Sequence, residues 1–198
     1  DMISLYIARL PDDISGGSLL SDERQTAIDR ISNERVKREK YYVWRLLEYA
    51  IKNTLGADAS RLCFTKNETG KWMCEGFEFS LSHSGNALAV AVSNNAVGVD
   101  IERIRVKRRE GLAEYILTQN EKKAYLNSDD KDVYLIRKWC EKEAIFKSLN
   151  ENTFRPNKIE SAEFYCEVYE YCICDEQYIV SVAAKQIDTV KIFYDVEL

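Results

Sequence analysis

The chain has 198 residues and a formal net charge of -5, and 45% of its residues are hydrophobic while 31% are charged. This balance is typical of a soluble globular protein, and the acidic total disfavours a nucleic-acid binder that relies on neutralising phosphates. No apolar run approaches the roughly 20 residues of a membrane span, and residues 1–10 lack the regions of a signal peptide. We therefore expect a cytoplasmic protein with neither a membrane nor a nucleic acid as its partner.

The N-terminal half predicts a strand, two helices and a β-rich region. Residues 3–10 form the first predicted strand, and Ser21 is an N-cap residue followed by acidic residues in the first turn of a helix. A long helix over residues 33–55 follows, basic at its start and apolar towards its end at Gly56. The next region, residues 63–102, is β-rich. Its turns are predicted near residues 68–70, 84–86 and 94–95.

The C-terminal half repeats this order. Helical periodicity runs over about residues 111–149, and strands are predicted after it. Those strands are residues 161–168, 169–175 and 177–185. Residues 77–93 and 169–185 resemble each other as hairpins and form a weak internal repeat. We therefore predict an α+β fold made of two similar α/β lobes, residues 1–96 and residues 97–198.

The six cysteines predict reduced thiols rather than a disulfide framework, because the chain is long and no secretion signal is recognised. Cys172 and Cys174 would point to one face of a strand, but the chain has a single histidine and no second close pair of cysteines. A zinc site is therefore not expected.

Two carboxylates stand close together in the stretch GVDIE, residues 98–102. In a strand, Asp100 and Glu102 share one face and their backbones lie roughly 7 Å apart. Like charges at this spacing repel each other, so either the face is solvated or a cation lies between them. A hard cation such as Mg²⁺ or Mn²⁺ prefers these oxygen ligands. The two residues alone leave both interpretations open.

A third carboxylate lies on a predicted helix. Glu143 shares one helical face with Trp139 and Lys147, and with the apolar Ile136 and Phe146. An unpaired charge in an apolar stripe is costly, which favours a functional role for Glu143. The alternative is an ordinary Glu143–Lys147 pair on a solvated surface.

The stretches GVDIE and WCEKEAIFK, residues 139–147, resemble the signature pair of the 4'-phosphopantetheinyl transferase superfamily. Gly-Lys at residues 70–71, FSLSHS at residues 79–84 and the basic helix before them are similar to further motifs, in the family's order. Trp72 stands where the family usually has proline. The length and the internal repeat resemble the surfactin-type class. That class implies two lobes related by pseudo-twofold symmetry, with the site built inside one monomer.

This resemblance implies an enzyme that transfers the 4'-phosphopantetheine arm of coenzyme A to a serine of an apo acyl or peptidyl carrier protein. The second product would be 3',5'-adenosine bisphosphate, and the metal would be Mg²⁺, with Mn²⁺ as a substitute. Asp100, Glu102 and Glu143 would be the metal ligands. Asp100, Glu143 and Lys147 would be the catalytic residues, with Glu143 as the general base. Lys142 and Lys147 would stabilise phosphate.

The same resemblance implies where coenzyme A binds. The N-terminal lobe would hold the adenine and the 3'-phosphate, and the C-terminal lobe would hold the metal. His83 would contact phosphate, although a lone histidine without this motif is usually structural. The remaining residues expected to bind coenzyme A are Ser82, Lys71, Arg45, Arg35 and Arg38.

The basic stretch RIRVKRR, residues 103–109, follows the first acidic motif directly. On an acidic protein such a cluster suits an acidic partner, and we expect the carrier protein to dock there, although a merely solvated face explains it as well. Two other functions stay open from the residues alone. One is a non-catalytic module that binds coenzyme A or a nucleotide, and the other is a metal-dependent phosphodiesterase.

Overall fold

The structure is a computed structural model that describes residues 2–105, 111–149, 151–186 and 189–198. Its N-terminal half contains β1 (Met2–Arg9), α1 (Asp22–Asp29), α2 (Glu34–Leu55), β2 (Phe64–Lys66), β3 (Trp72–Cys74), β4 (Glu78–Ser84) and β5 (Ala87–Ser93). Its C-terminal half contains β6 (Val97–Arg103), α3 (Leu112–Ile116), α4 (Gln119–Leu126), α5 (Lys131–Leu149), β7 (Tyr165–Ile173), β8 (Glu176–Ala184) and β9 (Thr189–Phe193). Within these ranges no helix combines the length and apolar character needed to cross a membrane.

The long helix α2 has well-defined ends. The Asn33 side chain accepts a hydrogen bond from the backbone N–H of Val36, which satisfies a donor that the first helical turn leaves free. Gly56 ends the helix in the left-handed conformation with φ 63°, a conformation that glycine adopts without strain. The predicted end of this helix at Gly56 is therefore confirmed.

The two lobes repeat one strand arrangement. The first sheet has the order β4-β5-β1-β9 and the second has the order β6-β8-β7, while β2 and β3 form a separate two-stranded sheet. In both lobes a hairpin, β4-β5 or β7-β8, pairs its second strand antiparallel to the strand that opens the lobe. The mixed fold of two similar α/β lobes is therefore confirmed. The strands predicted over residues 161–168 and 169–175 are wrong in detail, because they form one strand, β7, preceded by a short 3₁₀ turn.

The two sheets pack face to face, with one long helix on each outer side. Alternate residues of β1 and β5 belong to different cores, as the period of two in a strand requires. One set packs against α2, and the other forms a core with β6 and β8. The α2 core includes Tyr6, Ala8, Leu88, Val90 and Val92, and the core between the sheets includes Ile3, Leu5, Ile7, Ala89, Val99, Ile101 and Val180.

The predicted lobe boundary needs one correction. β6 begins the second sheet at Val97, next to the predicted division at residues 96 and 97. However, β9 returns to the first sheet and pairs in parallel with β1. The last strand of the chain therefore belongs to the N-terminal lobe, because β1 offers a free edge that β9 closes.

Candidate active site

The acidic face of β6 is turned towards α5. Asp100 is buried and its Oδ1 accepts a hydrogen bond from the Lys147 Nζ at 2.7 Å. The Glu102 Oε1 accepts a hydrogen bond from the Trp139 indole Nε1 at 3.2 Å. A Cβ added at Gly98 would lie 1.8 Å from the Ala144 carbonyl oxygen, on the same helix. The predicted common face of residues 98, 100 and 102 is therefore confirmed, and it is packed rather than solvated.

Gly98 explains how the helix comes so close. The backbone of α5 occupies the space that any larger side chain at position 98 would need, since the Ser148 nitrogen also lies 2.7 Å from the added Cβ. The glycine thus lets α5 lie directly on β6, with Asp100 within reach of Lys147 one turn beyond Glu143.

Glu143 lies half-buried on α5 among charged groups. Burial raises the pKa of Glu143 above its ordinary value, the positive charge of Lys147 opposes that rise, and the carboxylates of Asp100 and Glu102 add to it. Glu102 behaves similarly, because burial and then the neighbouring Asp100 raise its pKa. The carboxylates therefore influence one another, which is the electrostatic situation that a bound cation would relieve.

Lys147 is the positive centre of this cluster. Its Nζ donates to the Asp100 carboxylate and, at 3.1 Å, to the Val99 carbonyl oxygen. Burial alone would lower the pKa of Lys147, but the Asp100 carboxylate, with help from Glu143, holds it above its ordinary value. The lysine is therefore charged at neutral pH and neutralises part of the acidic cluster.

The carboxylates have the chemistry that a hard cation prefers, but their arrangement fits such a cation less well. The Asp100 Oδ2 is buried and has no hydrogen-bond partner among the residues that the structure describes, which leaves one oxygen of the cluster available to a cation. Yet within the described parts of the chain, no three His, Cys, Asp or Glu side chains are arranged so that they could hold a metal ion together. Asp100, Glu102 and Glu143 are thus neighbours whose oxygens do not converge on one point. Carboxylate oxygens are nevertheless the donors that Mg²⁺ and Mn²⁺ prefer.

The N-terminal lobe brings further cations to the edge of this cluster. The Lys71 Nζ donates to the Lys147 carbonyl oxygen at 3.2 Å, and burial lowers the pKa of Lys71. Burial also lowers the pKa of His83; the Glu39 carboxylate, 3.5 Å from its Nδ1, opposes this, and Lys147 and Lys40 reinforce it. His83 and Lys71 therefore lie beside the acidic cluster, while their predicted contacts with coenzyme A stay predictions.

Lys40 was missed by the sequence reasoning. Its charge acts on His83, so this lysine of α2 belongs to the cationic side of the site. The sequence could have indicated this place for Lys40, because Lys40 is one residue from Glu39 and both precede the apolar part of the helix.

The predicted arginines of α2 are not placed together. Arg35 lies near the site, donating to the Gly85 carbonyl oxygen at 2.8 Å and to Glu39 at 3.0 Å. Arg38 instead donates to the Asp12 carbonyl oxygen. Arg45 is ion-paired with Glu48 at 3.0 Å and lines a separate cavity of about 570 Å³ together with Lys52 and Gly56. Arg45 is turned about 120° around α2 from Glu39, the partner of His83, and its role in binding the 3'-phosphate stays a prediction.

Lys142 is wrongly predicted as a phosphate-binding residue. Its side chain is fully buried, and its Nζ donates to Glu121 at 2.5 Å and to the carbonyl oxygens of Ile116 and Pro156 at 2.7 and 2.9 Å. An ammonium group has three donors, and these contacts use all of them. Lys142 therefore ties α5 to the segments on either side of it.

Ser82 also has a different place from the predicted one. Its hydroxyl is buried, accepts from the backbone N–H of Ile101 at 3.2 Å and donates to the Asp100 Oδ1 at 2.8 Å. The donor of this hydroxyl is thus already used inside the protein, which corrects its assignment to coenzyme A.

Trp72, at the position of the usual proline, packs among cations. The Arg24 guanidinium lies 5.7 Å and the Lys66 Nζ 4.8 Å from the centroid of its ring. Trp72 also meets the buried Trp44 edge-on at 5.3 Å. The tryptophan therefore anchors the strand that follows Lys71 through stacking and cation–π contacts.

A half-apolar cavity of about 420 Å³ opens beside the acidic cluster. Leu112, Ile116 and Leu135 form its apolar part, and Glu102 and Arg105 lie at its polar side. Of the predicted docking stretch, Arg103 pairs with Glu176, and residues 106–109 lie outside the described residues.

Comparison with known proteins gives consistent matches. Residues 96–184 match a model of the 4'-phosphopantetheinyl transferase superfamily. The chain is 27% identical over 168 residues to the 4'-phosphopantetheinyl transferase gsp of Aneurinibacillus migulanus, covering 78% of this chain and 69% of that protein. It is also 27% identical over 144 residues to a Haemophilus influenzae protein provisionally named a 4'-phosphopantetheinyl transferase, covering 70% and 60%.

A solved structure is also similar to part of the chain. The holo-[acyl-carrier-protein] synthase of Thermotoga maritima aligns with a TM-score of 0.36 and 21% identity, covering 46% of this chain and 64% of that one. The chain thus spans less than two thirds of that protein and of the Haemophilus influenzae relative.

Proposed function

We propose, from its similarity to the 4'-phosphopantetheinyl transferase superfamily over residues 96–184, that the chain is a member of this superfamily and modifies a carrier protein. The reaction moves the 4'-phosphopantetheine arm of coenzyme A onto a serine of an apo acyl or peptidyl carrier protein. A bond forms between the serine oxygen and the phosphorus of the arm. The pyrophosphate bond of coenzyme A breaks, and 3',5'-adenosine bisphosphate leaves.

The observation that carries this proposal is the junction of β6 and α5. Asp100, Glu102, Glu143 and Lys147 meet there because Gly98 lets the helix lie on the strand. A base works best when its pKa lies near the operating pH, and burial moves the pKa of Glu143 in that direction. Glu143 would accept the proton of the carrier serine as its oxygen attacks, and Lys147 would stabilise negative charge next to it.

Asp100, Glu102 and Glu143 would hold a Mg²⁺ ion, with Mn²⁺ as a substitute. When bound, the metal supplies charge neutralisation on the pyrophosphate of coenzyme A. The Oδ2 of Asp100, which has no hydrogen-bond partner among the described residues, supports this assignment, as do the pKa values of Glu102 and Glu143, which burial and then the Asp100 carboxylate raise.

The cations of the N-terminal lobe would bind the phosphates of coenzyme A. Lys40 contributes charge next to His83, Lys71 contributes charge next to the Lys147 backbone, and Arg35 contacts the Gly85 carbonyl oxygen at the hairpin turn. An anionic phosphate would stabilise the protonated form of His83, which burial disfavours in the free protein. Coenzyme A would thus lie across the two lobes, with its pyrophosphate nearest to Lys147.

The decisive experiment incubates the protein, Mg²⁺ and coenzyme A with an apo acyl carrier protein and, separately, with an apo peptidyl carrier domain. The expected result is a carrier whose mass increases by one phosphopantetheine. Asp100→Asn should abolish the increase, whereas Asp22→Asn, an exposed change on α1, should not alter it.

The outcomes of that experiment separate the proposal from its rivals. Consumption of coenzyme A without a carrier would indicate a phosphodiesterase. Binding of coenzyme A without any product would indicate a non-catalytic module. Modification of one carrier and not the other would identify the class of substrate.

A further inference from the structure

We propose that Ser82 and Ser84 are positioning residues that fix the orientation of Asp100 and Glu102. The proposal rests on the proposed function, because it assigns the two serines a role in the site formed by these carboxylates. It arises from the contact between β4 and β6, two strands of different sheets that are not paired through their backbones.

The outer edge of β6 carries backbone amides that no strand pairs. β6 lies at the end of the sheet order β6-β8-β7, so every second N–H points away from β8. Three serine hydroxyls of β4 accept hydrogen bonds from these amides. The pairs are Ser80 with Val99 at 3.0 Å, Ser82 with Ile101 at 3.2 Å and Ser84 with Arg103 at 3.2 Å. Serines at every second position of β4 match amides at every second position of β6, because both strands have a period of two.

Two of the three hydroxyls also contact a carboxylate. Ser82 donates to the Asp100 Oδ1 at 2.8 Å, and Ser84 donates to the Glu102 Oε2 at 3.0 Å. A hydroxyl has one hydrogen to donate, so accepting from the amide leaves that hydrogen for the carboxylate. Each of these two hydroxyls therefore accepts from a backbone amide of β6 and donates to a carboxylate side chain of the same strand. Ser80 bonds to an amide only, in the same geometry, and provides an internal comparison.

The contacts determine which oxygen atoms remain free. Ser82 and Lys147 both bond to the Oδ1 of Asp100, and its Oδ2 is left without a hydrogen-bond partner. Glu102 is held at both ends, by Ser84 on one oxygen and by Trp139 on the other. Without the Ser82 hydroxyl, the Asp100 carboxylate could rotate about its side-chain bonds and the Oδ2 would lose its fixed direction. Water cannot easily replace the hydroxyl, since Ser82 and Asp100 are 8% and 4% exposed.

The test compares Ser80→Ala, Ser82→Ala and Ser84→Ala in the full-length chain. Each variant loses one hydroxyl that accepts from a β6 amide, and Ser82→Ala and Ser84→Ala also lose a hydrogen bond to a carboxylate, so urea denaturation of all three variants separates the loss of stability from the loss of activity. Ser82→Ala and Ser84→Ala should lower kcat about tenfold or more, and Ser80→Ala should change it less than threefold; KM for coenzyme A should stay within threefold in all three. Ser84→Thr keeps the hydroxyl and should retain most of the wild-type activity.

A second readout does not depend on turnover. Calorimetric titration with Mn²⁺ should give at least a fivefold weaker dissociation constant for Ser82→Ala than for Ser80→Ala. Equal kcat and equal Mn²⁺ affinity in the three variants, or losses that follow stability alone, would overturn the inference. If the wild type modifies no carrier, the proposed function fails; the Mn²⁺ comparison then still decides whether Ser82 positions Asp100. If Ser82→Ala does not fold, Ser84→Ala, at a more exposed position, makes the same comparison through kcat.

Discussion

At the scale of single residues, two lysines of α5 have different surroundings and different partners. Lys142 and Lys147 lie five positions apart, which is about 140° around a helix. Lys147 faces β6 and bonds to Asp100, while Lys142 faces away from it and bonds to Glu121. Helical periodicity alone could therefore have predicted that the two lysines lie on different sides of α5. The motif-based resemblance assigned both to phosphate, because a motif lists residue types and not the side to which each one points.

This difference leads to a prediction for the two lysines. Lys147→Met should weaken coenzyme A binding at least tenfold, since it removes a charge-assisted contact, and it should also destabilise the fold because the buried Asp100 loses its ion-pair partner. Lys142→Met should leave the affinity of the folded protein unchanged but lower the free energy of unfolding by about 3 to 5 kcal/mol, because Glu121 becomes a buried charge without its partner. Calorimetry with coenzyme A and urea denaturation measure the two effects.

The double variant provides the control. Replacing Glu121 by Gln together with Lys142→Met removes both charges and should recover part of the lost stability. If the folded Lys142→Met variant bound coenzyme A more weakly than the wild type, Lys142 would belong to the coenzyme A site after all.

At the scale of elements, the close packing of α5 on β6 depends on one position. Gly98→Ala would place a methyl group 1.8 Å from the Ala144 carbonyl oxygen, so helix and strand must separate. We expect a loss of at least about 3 kcal/mol in unfolding free energy, together with a loss of transfer activity in the protein that still folds. Chemical denaturation and the carrier-modification assay measure these losses.

Gly17 offers a matched control for this substitution. A Cβ added at Gly17 meets nothing within 4 Å, so Gly17→Ala should change stability by less than about 1 kcal/mol. Equal stability of Gly98→Ala and Gly17→Ala would show that the approach of the helix is not limited at position 98.

The junction between α4 and α5 predicts a pH dependence of stability. Burial alone would raise the pKa of Glu121, but hydrogen bonds from Lys142, the Thr118 amide and Ser161 together hold it below its ordinary value. A carboxyl group with a lowered pKa stabilises the fold above its unfolded value, about 4.3, and this contribution is lost as the pH falls through the folded value. The stability difference between wild type and Glu121→Gln should therefore be largest near neutral pH and vanish in acid. Urea denaturation of both proteins between pH 3 and 7 measures it, and a constant difference would contradict this account.

At the scale of the whole molecule, the sequence predicted the two lobes better than the strand and side-chain contacts that join them. The repeated order of strand, helices and hairpin and the similarity of the two hairpins were sufficient to predict two similar lobes. The return of β9 to the first sheet was not predictable, because a short apolar strand carries no mark of the partner it will pair with. The same holds for the serines of β4: their spacing was visible, but their partners lie on a strand of the other lobe.

The distribution of charge over the molecule predicts how a carrier protein approaches. The net charge is -5, yet residues 103–109 contain five cations beside the acidic motif. Opposite charge on a partner mainly raises the association rate, and added salt screens this effect. Reversing Arg105, Lys107, Arg108 and Arg109 to glutamate should therefore raise KM for an acidic carrier protein at least tenfold at low salt and much less at high salt, with the affinity for coenzyme A unchanged.

A charge-matched control distinguishes docking from a general change of net charge. Reversing four cations away from the site, at Lys52, Arg61, Lys185 and Lys191, changes the total charge equally and should raise KM for the carrier only slightly. Arg103 is left intact in both variants because it is paired with Glu176. The local field of residues 103–109 acts within about 10 Å at moderate salt, so only charges near the entering serine should control KM. Equal increases of KM in both variants would show that the carrier responds to total charge, and no increase in either would place its docking surface elsewhere.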